Sequence, residues 1–164
     1  GDAGVANTIR GNLIRDNGRS GTGLAIDLGG TQTQLPNDDG DGDTGPNALQ
    51  NHPLIYGSAP TDSTHRAVKA ALNTAANQTV RIDFYHAIAC STTRGADANY
   101  LVGSIDANSG ASGTVMINAP IAEAGKSGYL TVTATTTAGK TSELSPCVPE
   151  DRIFADGAQK PGIQ

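Results

Sequence analysis

Tryptophan is absent, and phenylalanine (2), tyrosine (4) and methionine (1) are scarce among the 164 residues. A sugar-binding surface stacks exposed rings on its ligand, so that class begins with little material here. Basic residues are also few: 11 Lys and Arg face 16 Asp and Glu, for a net charge of −5. Nucleic-acid binding needs a basic face to neutralise phosphates, so nucleic acid is excluded as a partner. No apolar run approaches the ~18 residues of a membrane-spanning helix, and no membrane insertion is expected. Cysteine occurs twice, as Cys90 and Cys147, with no C-x-x-C motif. Neither a zinc pair nor a redox pair is therefore indicated. A disulfide between the two suits an exported protein; two unrelated buried thiols are the alternative.

What is abundant is turn chemistry. Gly (21) and Pro (8) accompany many Asn, Asp, Ser and Thr residues. Glycine, asparagine and aspartate tolerate the positive φ angles of tight turns, so the composition reads as many short strands. The length suits one domain with a modest core, or a small domain with an appendage. The opening "GDAGVANTIRG" reads as a cut from something longer.

Four stretches differ in character. Residues 1–34 carry a five-residue spacing, with Asn7, Asn12 and Asn17 in one series and Ile9 and Ile14 in another. Five is neither a helical nor a simple strand period. It suits short strands broken at corners, as in one rung of a parallel β-helix; an irregular Asn-rich loop is the alternative. Residues 35–53, "LPNDDGDGDTGPNALQNHP", form an acidic, glycine-rich seam. Residues 54–148 alternate: "TVRIDFYHA" (79–87), "GTVMINA" (113–119) and "YLTVTATTT" (129–137) are strands, with "YLVGSID" (100–106) and "TSELSPC" (141–147) weaker ones. "HRAVKAALNTAAN" (65–77) has helical alanine content, yet Val68, Ala70 and Leu72 alternate. It is read as a strand pairing with 79–87. Short alternating strands with turns between them imply an antiparallel sandwich. Residues 149–164 are a tail.

One string invites a different reading. "LAIDLGGTQTQ" (24–34) has the apolar strand, aspartate, paired glycines and threonine of a sugar-kinase phosphate loop. Such an enzyme needs two lobes and roughly twice this length. The acidic seam that follows would also repel phosphate. Leu24, Ile26 and Leu28 are instead read as one face of another short strand.

The strings "NTIRGNLIRDNG", "GLAIDLGG", "GDTGPNALQNHP", "YLTVTATTTAGKTSELSPC" taken in order resemble the C-terminal region of large secreted bacterial proteins with right-handed parallel β-helix repeats, often carrying a CSLREA domain. The resemblance covers roughly residues 5–148. It implies an all-β fold in which a last β-helix-like rung leads into an antiparallel immunoglobulin-like β-sandwich. It makes "AIDLGGT" a rung-closing string.

Three candidate sites follow. In the seam, Asp39, Asp41 and Asp43 stand at alternate positions, as in the first half of an EF-hand loop. The family-like string favours Asp38, Asp41 and Asp43, and Asp27 is placed to complete a calcium shell. Thr44 and Gln50 depart from the EF-hand pattern, and the alternative is a solvated acidic turn capping local backbone. His52, His65 and His86 show no metal-ligand spacing. His86 and Cys90 are four apart, but Cys90 is better used in a disulfide. Third, a single rung leaves its apolar face open. Ile9, Leu13, Ile14, Leu24 and Ile26 would then recruit upstream rungs or another copy.

The leading functional expectation is a non-catalytic structural or adhesion module of an exported bacterial surface protein, able to self-assemble into oligomers or filaments, with a surface glycan or protein as a further candidate partner. A carbohydrate-binding sandwich and a fragment of a polysaccharide-degrading β-helix enzyme are the alternatives.

Overall fold

The structure is a computed structural model that describes residues 6–17, 23–91, 95–122 and 127–150. Within them the chain is all-β and its strands pair antiparallel. The strands are β1 (Leu54–Pro60), β2 (His65–Asn73), β3 (Thr79–Ala87), β4 (Cys90–Ser91), β5 (Gly95–Ala96), β6 (Tyr100–Asn108), β7 (Thr114–Ala122), β8 (Tyr129–Thr136) and β9 (Val148–Pro149). One sheet has the order β1-β2-β7; the facing sheet has the order β6-β3-β8-β9; β4 and β5 form a small hairpin.

Period-2 alternation builds the core. Val68, Ala70 and Leu72 of β2 and Val115, Ile117 and Ile121 of β7 face Val80, Ile82 and Phe84 of β3 and Leu130, Val132 and Ala134 of β8, all buried. Each large side chain so buried contributes about 1.5–3 kcal/mol relative to exposure. Two aligned layers with one apolar filling make a β-sandwich. Its strand distribution is three and four, with β6 at the edge beside β3.

Two expectations need correction. Residues 65–73 are a strand, but their partners are β1 and β7; β3 pairs with β6 and β8 in the other sheet. The turn "NTAANQ" therefore carries the chain between layers. Asn77 takes φ 58° in it and donates its amide to the Gly110 carbonyl. Second, "TSELSPC" is no regular strand. Thr141 makes a bridge to Thr135, after which side-chain hydroxyls replace carbonyls: Ala134 and Val132 donate their amides to Ser142 Oγ and Ser145 Oγ. Ser142 and Ser145 return their own amides to the Ala134 and Val132 carbonyls. Three steps of chain thus oppose two on β8, and Glu143 and Leu144 bulge out.

The β-helix-like rung expected over residues 1–34 falls partly on residues outside those described. Residues 6–17 run as an extended strap over the outer face of the β3–β8 sheet, joined to residue 98 by an Ile14–Ala98 bridge. Ile9, Ile14 and Leu24 are half-buried, Ile26 is buried and Leu13 is 59% exposed. Ile14 packs on an apolar cluster of Tyr85, Ala98 and Leu144, while the rest of the surface beneath the strap is polar: Asp83, Thr131, Thr133 and Thr135. The strap answers it with hydrogen bonds. Residues 1–5, 18–22 and the tail string "DRIFADGA" lie outside the described residues.

Candidate functional site: an asparagine clamp on the strap

Polar side chains from three parts of the sequence hold the strap. Arg10 Nε lies 3.2 Å from the buried Asp83 carboxylate, which also accepts Ser104 Oγ at 2.6 Å. The Gly11 amide donates to the Tyr85 hydroxyl at 3.0 Å. Burial, and then the Asp83 charge, push the Tyr85 phenol above its ordinary value, so it stays neutral and available as an acceptor. Thr8 donates to the Gly139 carbonyl at 3.0 Å, and the Ile9 amide to Thr141 Oγ1 at 2.9 Å.

The leading end is gripped by Asn47. Its Oδ1 accepts the Asn7 amide, and its Nδ2 donates to the Asn7 and Thr141 carbonyls. A primary amide matches a peptide unit in donor and acceptor spacing, so the side chain acts as a one-residue strand. Its placement requires an unusual backbone. Asn47, Ala48 and Leu49 have φ of 51°, 54° and 50°, a left-handed turn without glycine. Such residues cost about 1–2 kcal/mol each, so the surrounding contacts must impose the turn.

The rest of the seam repeats the device. Asn37 pairs with the His52 peptide through Oδ1 (3.0 Å) and Nδ2 (2.8 Å), while Asn51 pairs with the Asp38 peptide (3.1 and 2.8 Å). Neighbouring residues thus clasp each other reciprocally and close the seam into a loop. Asn73 of β2 takes part from the sandwich side, accepting the Gly40 amide and donating to Asp39.

The aspartates expected to bind calcium are used in this loop. Asp38 accepts the Gly42 amide, Asp39 accepts Asn73 Nδ2, and Asp41 accepts the Asn51 amide and Thr74 Oγ1. Asp43 is exposed, and Asp27 accepts the Gln32 amide in another loop. Among the described residues no three His, Cys, Asp or Glu side chains form a metal-ligand group. Burial chiefly raises the Asp41 carboxyl above its ordinary value, and the Asp38 charge adds to this. Alternate spacing does not converge here because Gly40 and Asp41 both take left-handed φ, and each carboxylate turns to a different donor.

The kinase-like string has an unforeseen role. Leu28 and Leu35 aim their amides at the two oxygens of Glu143, each at 2.9 Å. The loop does hold an anion, and the anion is the chain's own buried carboxylate from the β8-side bulge. Burial raises the Glu143 carboxyl, with the nearby Asp27 charge adding to it; the loop amides oppose the shift. The paired glycines pointed to an anion cradle, but nothing local in sequence named an occupant 115 residues away.

At the opposite end of the sandwich Cys90 and Cys147 are joined in a disulfide, with Cα atoms 5.9 Å apart. His86 is not poised against Cys90. Its Nδ1 lies 2.5 Å from Glu150 Oε1, both side chains being buried. Buried Arg66 donates to the Glu150 carbonyl and to Ser58 Oγ. A Cβ at Gly128 would overlap the His86 ring, so the ring's edge packs on bare backbone. No helix among the described residues is long and apolar enough to cross a membrane. No protein-family model matches the chain, and no curated protein matches it.

Proposed function

We propose that the chain is a non-catalytic structural module of an exported bacterial surface protein, serving display, adhesion or assembly. One observation carries this reading: the segment leading into the sandwich is stitched to it by the Asn47 clamp, so that strap, seam and sandwich form one body. The two strings most specific to the secreted β-helix proteins that the sequence resembles, "GDTGPNALQNHP" and "AGKTSELSPC", are the ones that supply Asn47 and Thr141. The buried ionisable groups also have structural employment: Glu143 binds a loop, Asp83 the strap, and Glu150 the His86 ring. The disulfide supports export, since oxidising compartments preserve such bonds. The natural partners of such a module are its upstream sequence or further copies.

The test uses oxidised full-length chain. It is incubated with acidic polysaccharides, with and without calcium, and applied to a glycan array. The proposal expects no released sugar, no wash-resistant glycan signal, and exchange protection of the Asn7, Ile9 and Gly11 amides that is lost together with the core. Turnover, glycan retention or an independently opening strap would each overturn it.

A further inference from the structure

The strap has a direction relative to the strands. Val80 of β3 pairs with Thr136 of β8 at one end of the sheet, and Ala87 with Tyr129 at the other. Asn7, Thr8 and Ile9 are bound at the first end, to Asn47, Gly139 and Thr141. Arg10 and Gly11 lie at mid-sheet over Asp83 and Tyr85. Ile14 bridges to Ala98, next to Asn99, whose amide binds the His86 carbonyl at the second end. Residues 149 and 150 also lie at that second end: Pro149 pairs with Tyr129, and the Glu150 amide binds the Gly128 carbonyl. Residue 7 and residue 150 are therefore separated by the length of β8, about 25 Å at ~3.3 Å per residue.

From this we infer that the module carries tension along the chain, with the strap as a shear clamp; the inference rests on the structural role proposed above. Pulling residue 7 away from residue 150 draws the strap along its own length. Its bonds then stretch together and none can open before the others. Pulled sideways, the same bonds would open one at a time. The strap is fastened at both of its ends as well as along its length. Asn7 is held by a reciprocal pair of bonds to Asn47 and Ile14 by a reciprocal pair to Ala98, with single bonds from Thr8, Ile9, Arg10 and Gly11 between them and one from the Asp16 amide to Asp97 beyond. The exit end is secured by different means: the Cys90–Cys147 disulfide, the His86–Glu150 pair and the Arg66 bond to the Glu150 carbonyl. A mere cover for the polar face would not need a fastening at each end of the strap and a secured exit end at the opposite end of the sheet from Asn7.

Single-molecule force spectroscopy on the oxidised full chain tests this. Handles placed at the two termini load the strap in shear; handles at Asn17 and the C-terminus leave it out of the force path. The expected result is a higher rupture force in the first geometry. Arg10→Ala and Thr8→Ala, each removing one exposed or half-exposed strap contact, should speed rupture at fixed force about five-fold per lost hydrogen bond in that geometry only. Asn47→Ala should have the largest effect; if it fails to fold, the other two still decide. Equal rupture forces in both geometries, or variants that rupture like the parent, would overturn the clamp. Neither result bears on glycan binding or turnover, so the two proposals fail separately.

Discussion

Asn47 holds Asn7 as a neighbouring strand would, accepting its amide at 2.7 Å and donating to its carbonyl at 2.9 Å across 40 residues of sequence. A third bond ties the same amide group to the Thr141 carbonyl at 2.7 Å. Asn47→Ala removes all three and leaves the buried Thr141 carbonyl without this donor. A loss of about 2–3 kcal/mol in urea unfolding is expected, at roughly 1 kcal/mol per bond. Amide exchange at Asn7 and Ile9 should quicken far more than exchange in β3. Unchanged exchange at those two amides would mean that the strap is held by something else.

Ala48 gives the opposite sign. Its φ of 54° disfavours any residue with a Cβ, and its side chain has no role in the clamp. Ala48→Gly relieves the left-handed penalty at some cost in unfolded-chain entropy. A gain of about 0.5–1 kcal/mol is expected from denaturant midpoints. A loss would show that the turn is not strained.

His52 sets the acid limb of stability. Burial lowers its imidazole from 6.5 to about 4, so the native state refuses a proton that the unfolded state accepts. A depressed folded value means the contribution is complete above pH 6.5 and is lost as pH falls towards about 4. The gap between the two values corresponds to about 3 kcal/mol. Asp41 and Glu143, whose carboxyls are raised, act in the reverse sense, favouring the native state at low pH and losing that contribution as pH rises. His52→Leu isolates the first effect. The difference between parent and variant should change steeply between pH 6.5 and 4. A flat difference would refute the buried neutral imidazole.

The seam should be indifferent to calcium. One oxygen of Asp38, one of Asp39 and both of Asp41 accept amide or hydroxyl donors within the fold, although Asp38 Oδ1 is buried with no hydrogen bond. Melting curves in excess calcium and in chelator are expected to coincide, since an ion that binds only the native state would raise the midpoint by mass action. A shift of several degrees, with heat of binding in calorimetry, would restore the EF-hand reading.

The sandwich was legible where one face meets the core. Val80, Ile82 and Phe84 alternate because the layer behind them is apolar, and the same holds for Val115 with Ile117 and for Leu130 with Val132. Cys90 and Cys147 were legible as a bridge through the lack of any other metal or redox pattern. Pairing was less so. Val68, Ala70 and Leu72 announce a strand but do not say which layer it joins, because either sheet offers them the same apolar interior. The strap is only partly legible, for a related reason. Ile14 makes the hydrophobic contact it suggests, on Tyr85, Ala98 and Leu144, but Thr8, Arg10 and Gly11 supply bonds that no periodicity announces, a backbone amide meeting Tyr85 among them. Asn47 was visible only as part of a string; its function depends on an adjoining left-handed turn that side-chain patterning does not encode.

Glu143 and the loop that receives it amount to a lock shipped with its key already inside. Two backbone amides directed at one point, from Leu28 and Leu35, would otherwise draw phosphate or carboxylate from solution. Because the occupant is covalently part of the chain, its local concentration far exceeds that of any free metabolite, and the cradle is closed to competitors. The same glycine-bearing string can therefore mean nucleotide recognition in one protein and self-fastening in another. What separates the two meanings is whether a buried acid elsewhere in the chain has claimed the seat.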